Sequence, residues 1–477
     1  MSLNTVINKL ISYARRNLLL DGRDVSYAVN TLLSMFDADT FTPEEVEECI
    51  SPDELVAELC SALEESGREF SVDAVADAVM AALSLTPSQT DDKFQSILKE
   101  EGSKAATDWL YSYCVHNYYV RRAVLDKNPR FDEGGLTVTI NKAKPEFRDP
   151  KKAAKGNSVA GGYPKCVICR ENEGYAPRNK RTLRTVSLKL GGEDFFWQYS
   201  PYGYFNEHGI AVNCRHTPMY VDRSTFCKLM DFVDMFPHYF IGCNAPLPRI
   251  GGSVLAHDHF QGGGERLPLH RAPVKKYLSN DLYPELKFGI PDWPGTVIRI
   301  EGKNRDRIAD ASERIRVAWC SYDNPELGII AEDKDGVHNA VSPTVIKTED
   351  GYEMNLILRS NITSEQYPDG VFHAHPEFHS IKKESIGLIE AQGLFILPGR
   401  LEAQLSRVAE CMERGSLDDD LKEFSLVYEE AKQIGGDARA AIRKELGSIC
   451  RRILENTAVF KTMSNTLEFL KGIGFYG

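Results

Sequence analysis

The chain has no run of apolar residues near the roughly 18 that a membrane span requires, and its acids outnumber its bases, 69 to 57. The first absence argues against a membrane-spanning protein. The second, a formal net charge of −12, argues against a general nucleic-acid binder, which needs a basic face. A nucleotide ligand is not excluded, because a few local Arg and Lys residues suffice for one phosphate group. The chain also lacks a paired pattern of cysteines. There are eleven, an odd number, and most, such as Cys227 and Cys243, sit alone among apolar neighbours. Residues 1–20 carry Lys9, Arg15 and Arg16 at helical spacing among Ile7, Leu10, Ile11 and Leu18. That is an amphipathic segment and not the unbroken apolar core of an export signal, so a reduced, cytoplasmic setting is the expectation. At 42% hydrophobic and 26% charged residues the composition leaves little room for long disorder. A length of 477 residues exceeds one ordinary core, so two to four subdomains are expected.

Periodicity divides the chain. Residues 1–128 read as a helical region, with Leu55, Val56, Leu59, Cys60 and Leu63 at helical spacing and hydroxyl-Pro helix starts at Thr42-Pro43 and Thr86-Pro87. Residues 129–266 and 267–400 each read as strands around a helix. In the first, 136–140, 182–190, 195–199, 209–212, 240–244 and 253–260 are strand candidates and 224–236 a helix. In the second, the strand candidates are 297–300, 316–322, 327–331 and 353–358. Residues 401–477 return to helical spacing. The expected class is α+β, an antiparallel sheet with packed helices, duplicated and flanked by helical ends. Each half closes on an alternating histidine stretch, His257-Asp258-His259 and His373-Ala374-His375.

Histidine is scarce, eleven in all, and ten of the eleven lie between 208 and 379. The densest stretch runs from Gly251 to Gly264. On a strand His257, His259 and Gln261 would share one face, with Asp258 and Phe260 on the other. Flanking glycines let backbone N–H groups approach an anion. An imidazole nitrogen can attack phosphorus, splitting one displacement into two, if its other N–H is held by a carbonyl or carboxylate. Gln261 can donate an amide N–H to a phosphoryl oxygen without giving up a proton. A third histidine there would suit hydrolysis better. The plain alternative is a strand whose histidines are only half-buried.

His257-Asp258-His259-Phe260-Gln261 resembles the His-x-His-x-Gln signature of the galactose-1-phosphate uridylyltransferases, within the histidine-triad superfamily. The run from Tyr163 through Cys166 and Cys169 to Tyr175 is similar to their bacterial second class. So are Gln198-Tyr199-Ser200-Pro201-Tyr202, Asn206-Glu207-His208, His216-Thr217-Pro218-Met219 and 236–242. Later stretches at 381–390 and 396–401 continue the likeness, which covers most of 130–400. The resemblance implies a histidine-triad-like sheet and uridylyl transfer from UDP-glucose to galactose 1-phosphate through His259. It makes Gln261 a phosphoryl contact, with Asn244 and Ser253 as further phosphate contacts. It also implies dimers, with UDP-sugars and hexose 1-phosphates as ligands and neither nucleic acid nor membrane as partner.

Cys166-x-x-Cys169 is half of a tetrahedral zinc site. The resemblance supplies His216 and His257 as the other half, although His208 competes with His216 and Cys214 is near. A pair of free thiols is the alternative, and no organic cofactor is expected. His373, His375, Glu377 and His379 would share a strand face if the alternation survives Pro376. They could hold a second metal, as the resemblance allows for His373 and His375, or receive the sugar phosphate with Lys382 and Lys383, or form a polar strand edge. Tyr202, Tyr204 and Asn206 alternate and could line a uridine pocket or simply pack. Arg178, Arg181 and Arg184 beside Lys180 could clamp a phosphate or face solvent. Two other readings stay open. One is a histidine-triad hydrolase or a related nucleotidyltransferase, and the other a zinc-stabilised interaction module.

Overall fold

A computed structural model describes residues 1–48, 51–67, 69–142, 162–252 and 254–477; Ser253 lies outside them. The N-terminal region is helical, as its periodicity predicts. Leu3–Asn17, Pro52–Glu65 and Val72–Ala82 pool Val6, Leu10, Leu55, Leu59, Val79 and Met80 in one cluster. Thr86 caps Pro87–Glu100 through a reciprocal box with Gln89. The Thr42-Pro43 start is not used. Residues 41–48 are irregular, with the Thr42 carbonyl taken by the Asn4 and Asn8 amides, and the next helix begins at Pro52 under a Ser51 cap.

A small sheet comes first in the chain: β1 (Arg130–Glu133) and β2 (Leu136–Asn141). The main strands follow as β3 (Val186–Leu190), β4 (Glu193–Tyr199), β5 (Gly209–Asn213), β6 (Phe240–Gly242) and β7 (His259–Gly263). Then come β8 (Val274–Leu278), β9 (Lys287–Pro291) and β10 (Val297–Gly302). A two-residue hairpin, β11 (Glu332–Asp333) and β12 (Gly336–Val337), precedes the long strands β13 (Asn339–Thr348) and β14 (Gly351–Ser360). Last is β15 (Leu394–Pro398), which joins β2 in parallel.

The large sheet has ten antiparallel strands in the order β3-β4-β5-β7-β6-β13-β14-β10-β9-β8. Its two halves repeat one plan. Three strands, a helix and two strands give 3-4-5-7-6 around Arg223–Met235, and 8-9-10-14-13 around Arg305–Cys320. β6 and β13 join the halves, Ile241 opposite Val345. The α+β class and the duplication hold. The histidine pairs, however, are not duplicates of each other. β14 stands where β7 stands in the first half and carries no histidine, while 373–379 lies outside any strand.

Two further strand expectations fail. Residues 316–320 continue the helix Arg305–Cys320, which Asn304 caps. Ile308, Ser312, Ile315 and Trp319 bury one helical stripe, and this outweighs the short apolar run around Trp319. Residues 327–331 follow a 3₁₀ turn at Pro325–Leu327.

The two helices cover one face of the sheet, where Phe226, Phe232, Trp197, Phe260, Ile315 and Trp319 belong to one core. The opposite face meets Ile386, Leu388, β15 and the helices Arg400–Arg414, Ser425–Ile434 and Ala438–Thr457 in a second core. No helix among the described residues is long and apolar enough to cross a membrane.

Candidate active site

β7 begins at His259, and residues 254–258 lead into it as turn and bend, not strand. Alternation then separates the faces. Phe260 stacks on Phe195 at 5.5 Å in the helix-covered core, while His259 and Gln261 point to the other side. His259 is buried, and its Nδ1 lies 2.7 Å from the His257 carbonyl. A carbonyl can only accept, so Nδ1 carries the proton and Nε2 carries the lone pair. Burial pushes the imidazole below its ordinary pKa, with the His257 carbonyl partly opposing. At neutral pH the ring is therefore uncharged, and no described residue hydrogen-bonds Nε2.

Gln261 pairs with Ile210 on one side and Gly242 on the other. His208 lies beside it, pushed down to about 4 by burial, with Gln261 opposing the shift. Asn244 follows Gly242 by two residues. Both face the 386–388 turn: a Cβ on Gly242 would meet the Leu388 side chain at 2.8 Å, and Asn244 Oδ1 accepts the Leu388 N–H at 2.9 Å. Directly paired residues share a face, so His259, Gln261 and Asn244 line the same side. Asn244 Nδ2 is buried without an acceptor and lies 2.9 Å from where a Cβ on Gly252 would stand. That leaves a donor beside the glycine loop.

Cys166, Cys169, His216 and His257 form one cluster, their ligating atoms all within 4.8 Å of one another, and it could hold a metal ion. The tautomers suit this. His257 Nε2 donates to the Asn213 carbonyl at 2.7 Å, which leaves the Nδ1 lone pair 3.3 Å from Cys166 Sγ and 3.6 Å from Cys169 Sγ. His216 Nε2 is buried without a partner. Burial and the neighbouring Cys166 push the Cys169 thiol up to about 12, a cost that a divalent cation would offset. Between the rival third ligands the geometry selects His216. His208 sits at Gln261, and Cys214 is not in the cluster.

Of the basic residues near this cluster, Arg178 and Lys180 bond its loop, whereas Arg181 and Arg184 are engaged elsewhere. Asn172 Nδ2 donates to the Cys166 and Cys169 carbonyls at 2.9 and 2.8 Å. Arg178 also donates to the Cys166 carbonyl, and Lys180 Nζ to that of Val167. Arg184 is buried against the Leu85, Arg181 and Leu183 carbonyls, and Arg181 lies beside Asp77.

Several other expected contacts have surroundings different from those their spacing suggests. Residues 200–208 are a turn between β4 and β5, so Tyr202, Tyr204 and Asn206 do not alternate. Tyr204 stacks on His208 and the Asn206 carbonyl accepts from Gly264, near the far end of β7, whereas Tyr202 is exposed. Lys382 is buried and saturated, 2.5 Å from Glu390, 3.1 Å from Glu384 and 3.3 Å from the Ile396 carbonyl; Lys383 is exposed. His373–His379 do not alternate on a strand: 371–373 are turn and bend, and Pro376 opens a 3₁₀ turn. His375 and His379 each place Nε2 against a carbonyl, of Val371 and Ala374, and His373 faces the Ala374 carbonyl through Nδ1. Among the described residues these histidines do not fall in a group of three or more metal-binding side chains.

Two residues with no sequence signature also touch the site's frame. Arg359 donates through Nη2 to the Ile386 carbonyl at 2.8 Å, and Asn361 donates to the Pro248 carbonyl at 3.2 Å.

The family description "Galactose-1-phosphate uridyl transferase, N-terminal domain" matches residues 50–218, and its C-terminal counterpart matches 232–425. A galactose-1-phosphate uridylyltransferase of Bifidobacterium longum is 50% identical over 98% of this chain and 97% of its own length. The Fusobacterium nucleatum protein of the same name is 35% identical over 99% of each chain. Among solved structures, yeast Ap4A phosphorylase Apa2 is similar over 67% of this chain and 88% of its own, with a TM-score of 0.35 and 10% identity. The chain is a nucleotidyltransferase of α+β architecture. It belongs to the galactose-1-phosphate uridylyltransferase family.

Proposed function

We propose that the protein moves a uridylyl group from UDP-glucose to galactose 1-phosphate in two displacements through a uridylyl-His259 intermediate. The observation that carries this reading is the fixed tautomer of His259, with Nδ1–H held by the His257 carbonyl and the Nε2 lone pair open. In the first step Nε2 attacks the uridine-linked phosphorus. The bond from that phosphorus to the bridging oxygen breaks, and glucose 1-phosphate leaves as an anion needing little acid help. In the second step a phosphate oxygen of galactose 1-phosphate attacks the same phosphorus, the P–N bond breaks, and His259 returns neutral.

Gln261 and Asn244 lie on the same side as His259 and donate amide N–H groups to the phosphoryl oxygens, whose charge grows in each transition state. Ser253 is proposed as a third phosphate donor. Tyr202 and Asn206 are left as weaker candidates for the uridine. Cys166, Cys169, His216 and His257 would hold zinc, whose contribution is structural. The chain's part is geometric: with His257 pinned through its ring, its carbonyl stays fixed as the acceptor that orients His259.

The test is UDP-glucose labelled at the uridine-linked phosphorus, incubated with enzyme and no acceptor. Label should stay on the denatured protein, be lost in acid, persist in alkali and be absent from His259→Ala. Label retained by that variant removes the mechanism. Steady release of labelled UMP without acceptor would favour a hydrolase, and a His259→Ala chain that fails to fold would favour a structural module.

A further inference from the structure

We propose that the end of β14, through Arg359 and Asn361, positions the two loops that frame the phosphoryl group. The half of the sheet without a nucleophile would thereby set the geometry of the half that has one. This rests on the uridylyl-histidine reading above. Neither residue is placed against substrate, so both are positioning residues.

Arg359 is buried, with 1% of its surface exposed, and among the described residues makes one hydrogen bond, from Nη2 to the Ile386 carbonyl, with no partner for Nε or Nη1. Glu390, the charge that acts on it, is already engaged by Lys382 and the Gly387 N–H. A buried guanidinium with unmet N–H groups is costly, so its single contact identifies what it holds. That contact is the first residue of the turn Ile386-Gly387-Leu388. The Leu388 N–H at the other end of the turn fixes Asn244 by donating to its Oδ1. The amide is then committed, with oxygen toward the turn and Nδ2 toward Gly252. Gly252 and Gly387 leave little room around it, since added Cβ atoms would stand 2.9 Å from Nδ2 and 3.4 Å from Oδ1. A reversed amide would aim a lone pair at the phosphoryl oxygens.

Two residues on, Asn361 grips the other loop. Its Oδ1 accepts from His338 Nδ1 at 2.8 Å, its Nδ2 donates to the Pro248 carbonyl, and its own carbonyl accepts from Arg249 at 3.0 Å. Arg249 has φ +69°, a conformation that a side chain rarely adopts, and this loop leads into Gly251-Gly252. His338 Nε2 in turn lies 2.9 Å from Asp333 of the β11–β12 hairpin. Both loops are thus tied to the end of β14, one to Arg359 and the other to Asn361 just beyond the strand.

The experiment uses the full chain, single-turnover labelling from UDP-glucose, steady-state kcat and KM, and thermal melting. Arg359→Met is expected to slow labelling by roughly 10- to 100-fold with KM changed less than about 3-fold, and Arg359→Lys to recover part of the loss. Because Arg359 acts through Asn244, adding Arg359→Met to Asn244→Ala should cost less than about 3-fold more. Asn361→Asp keeps the acceptor for His338 but loses the donor to Pro248, and should slow labelling roughly 10-fold without a matching loss of melting temperature. Losses that multiply in the double variant, or single variants that melt early yet label at the wild-type rate, overturn the proposal. If Arg359→Met does not fold, Arg359→Lys and Asn361→Asp decide it, and wild-type labelling by both overturns it. An unlabelled wild-type protein would instead sink the uridylyl-histidine reading, and this proposal with it.

Discussion

An imidazole whose Nδ1–H is taken by a backbone carbonyl has one nitrogen left, and at His259 that nitrogen is Nε2. Burial keeps the ring neutral by lowering its pKa, so protonation removes the lone pair only in acid. The acid limb of kcat against pH is therefore expected below the ordinary imidazole range near 6.5. A limb centred above 7 would contradict it. His259→Ala should fold with a melting temperature close to wild type and lose about four orders of magnitude or more in kcat. Lys382 makes the opposite case. With Glu390 and Glu384 against its buried Nζ, Lys382→Met should cost about 3–5 kcal/mol of stability in urea titration. Its folded fraction should keep a near-normal KM. The difference between these two residues is also a difference in what sequence can show. His259, Gln261 and Cys166-x-x-Cys169 announce themselves because their partners or their spacing are local. Lys382 looks like a phosphate contact until its carboxylates, brought by the fold, are seen to consume it. Arg359 has no local pattern at all.

At the scale of the element, the strand that carries His259 is short and tightly flanked. A Cβ on Gly262 would lie 2.1 Å from the Phe240 carbonyl, on the neighbouring strand β6. Gly262→Ala should therefore cost about 2 kcal/mol or more in urea titration and slow labelling as well, because it displaces Gln261. The Cys166–Cys169 turn yields a second test. Chelation, or Cys166→Ser, should remove zinc by elemental analysis and lower the melting temperature, with zinc restoring only the chelated wild type. Element boundaries were less legible than elements. Alternation through 253–260 suggested a strand, yet pairing starts at His259 because the residues before it serve the metal cluster and the glycine loop. The other histidine alternation forms no strand at all, since 371–373 are turn and bend and Pro376 opens a 3₁₀ turn. Trp319 and its neighbours read as strand until the full stripe of Arg305–Cys320 was counted.

For the whole molecule, buried neutral histidines make acid the weak side. Burial pushes His208, His238 and His373 down to about 4 and His270 to about 3. Unfolded, each takes up a proton near 6.5, so their contribution is intact above that pH and lost as pH falls toward 4. Urea midpoints at pH 7.5, 6 and 5 should fall in that order, most steeply below 6.5. A midpoint that rises toward pH 5 would contradict this. The duplicated plan was expected from a similar order of segments, each ending in His-x-His; the plan is there, but two of those segments are not strands and the histidine pairs do not correspond. The pairing that joins the halves, Phe240-Ile241-Gly242 against 344–346, was not legible, since it depends on residues a hundred positions apart.

The bond from the Leu388 N–H to Asn244 spans 144 positions of chain. A ribosome thus delivers the cysteine pair and the histidine strand well before the turn that orients the amide between them. Until residue 388 has been made, Asn244 Oδ1 lacks the N–H that holds it in the finished fold.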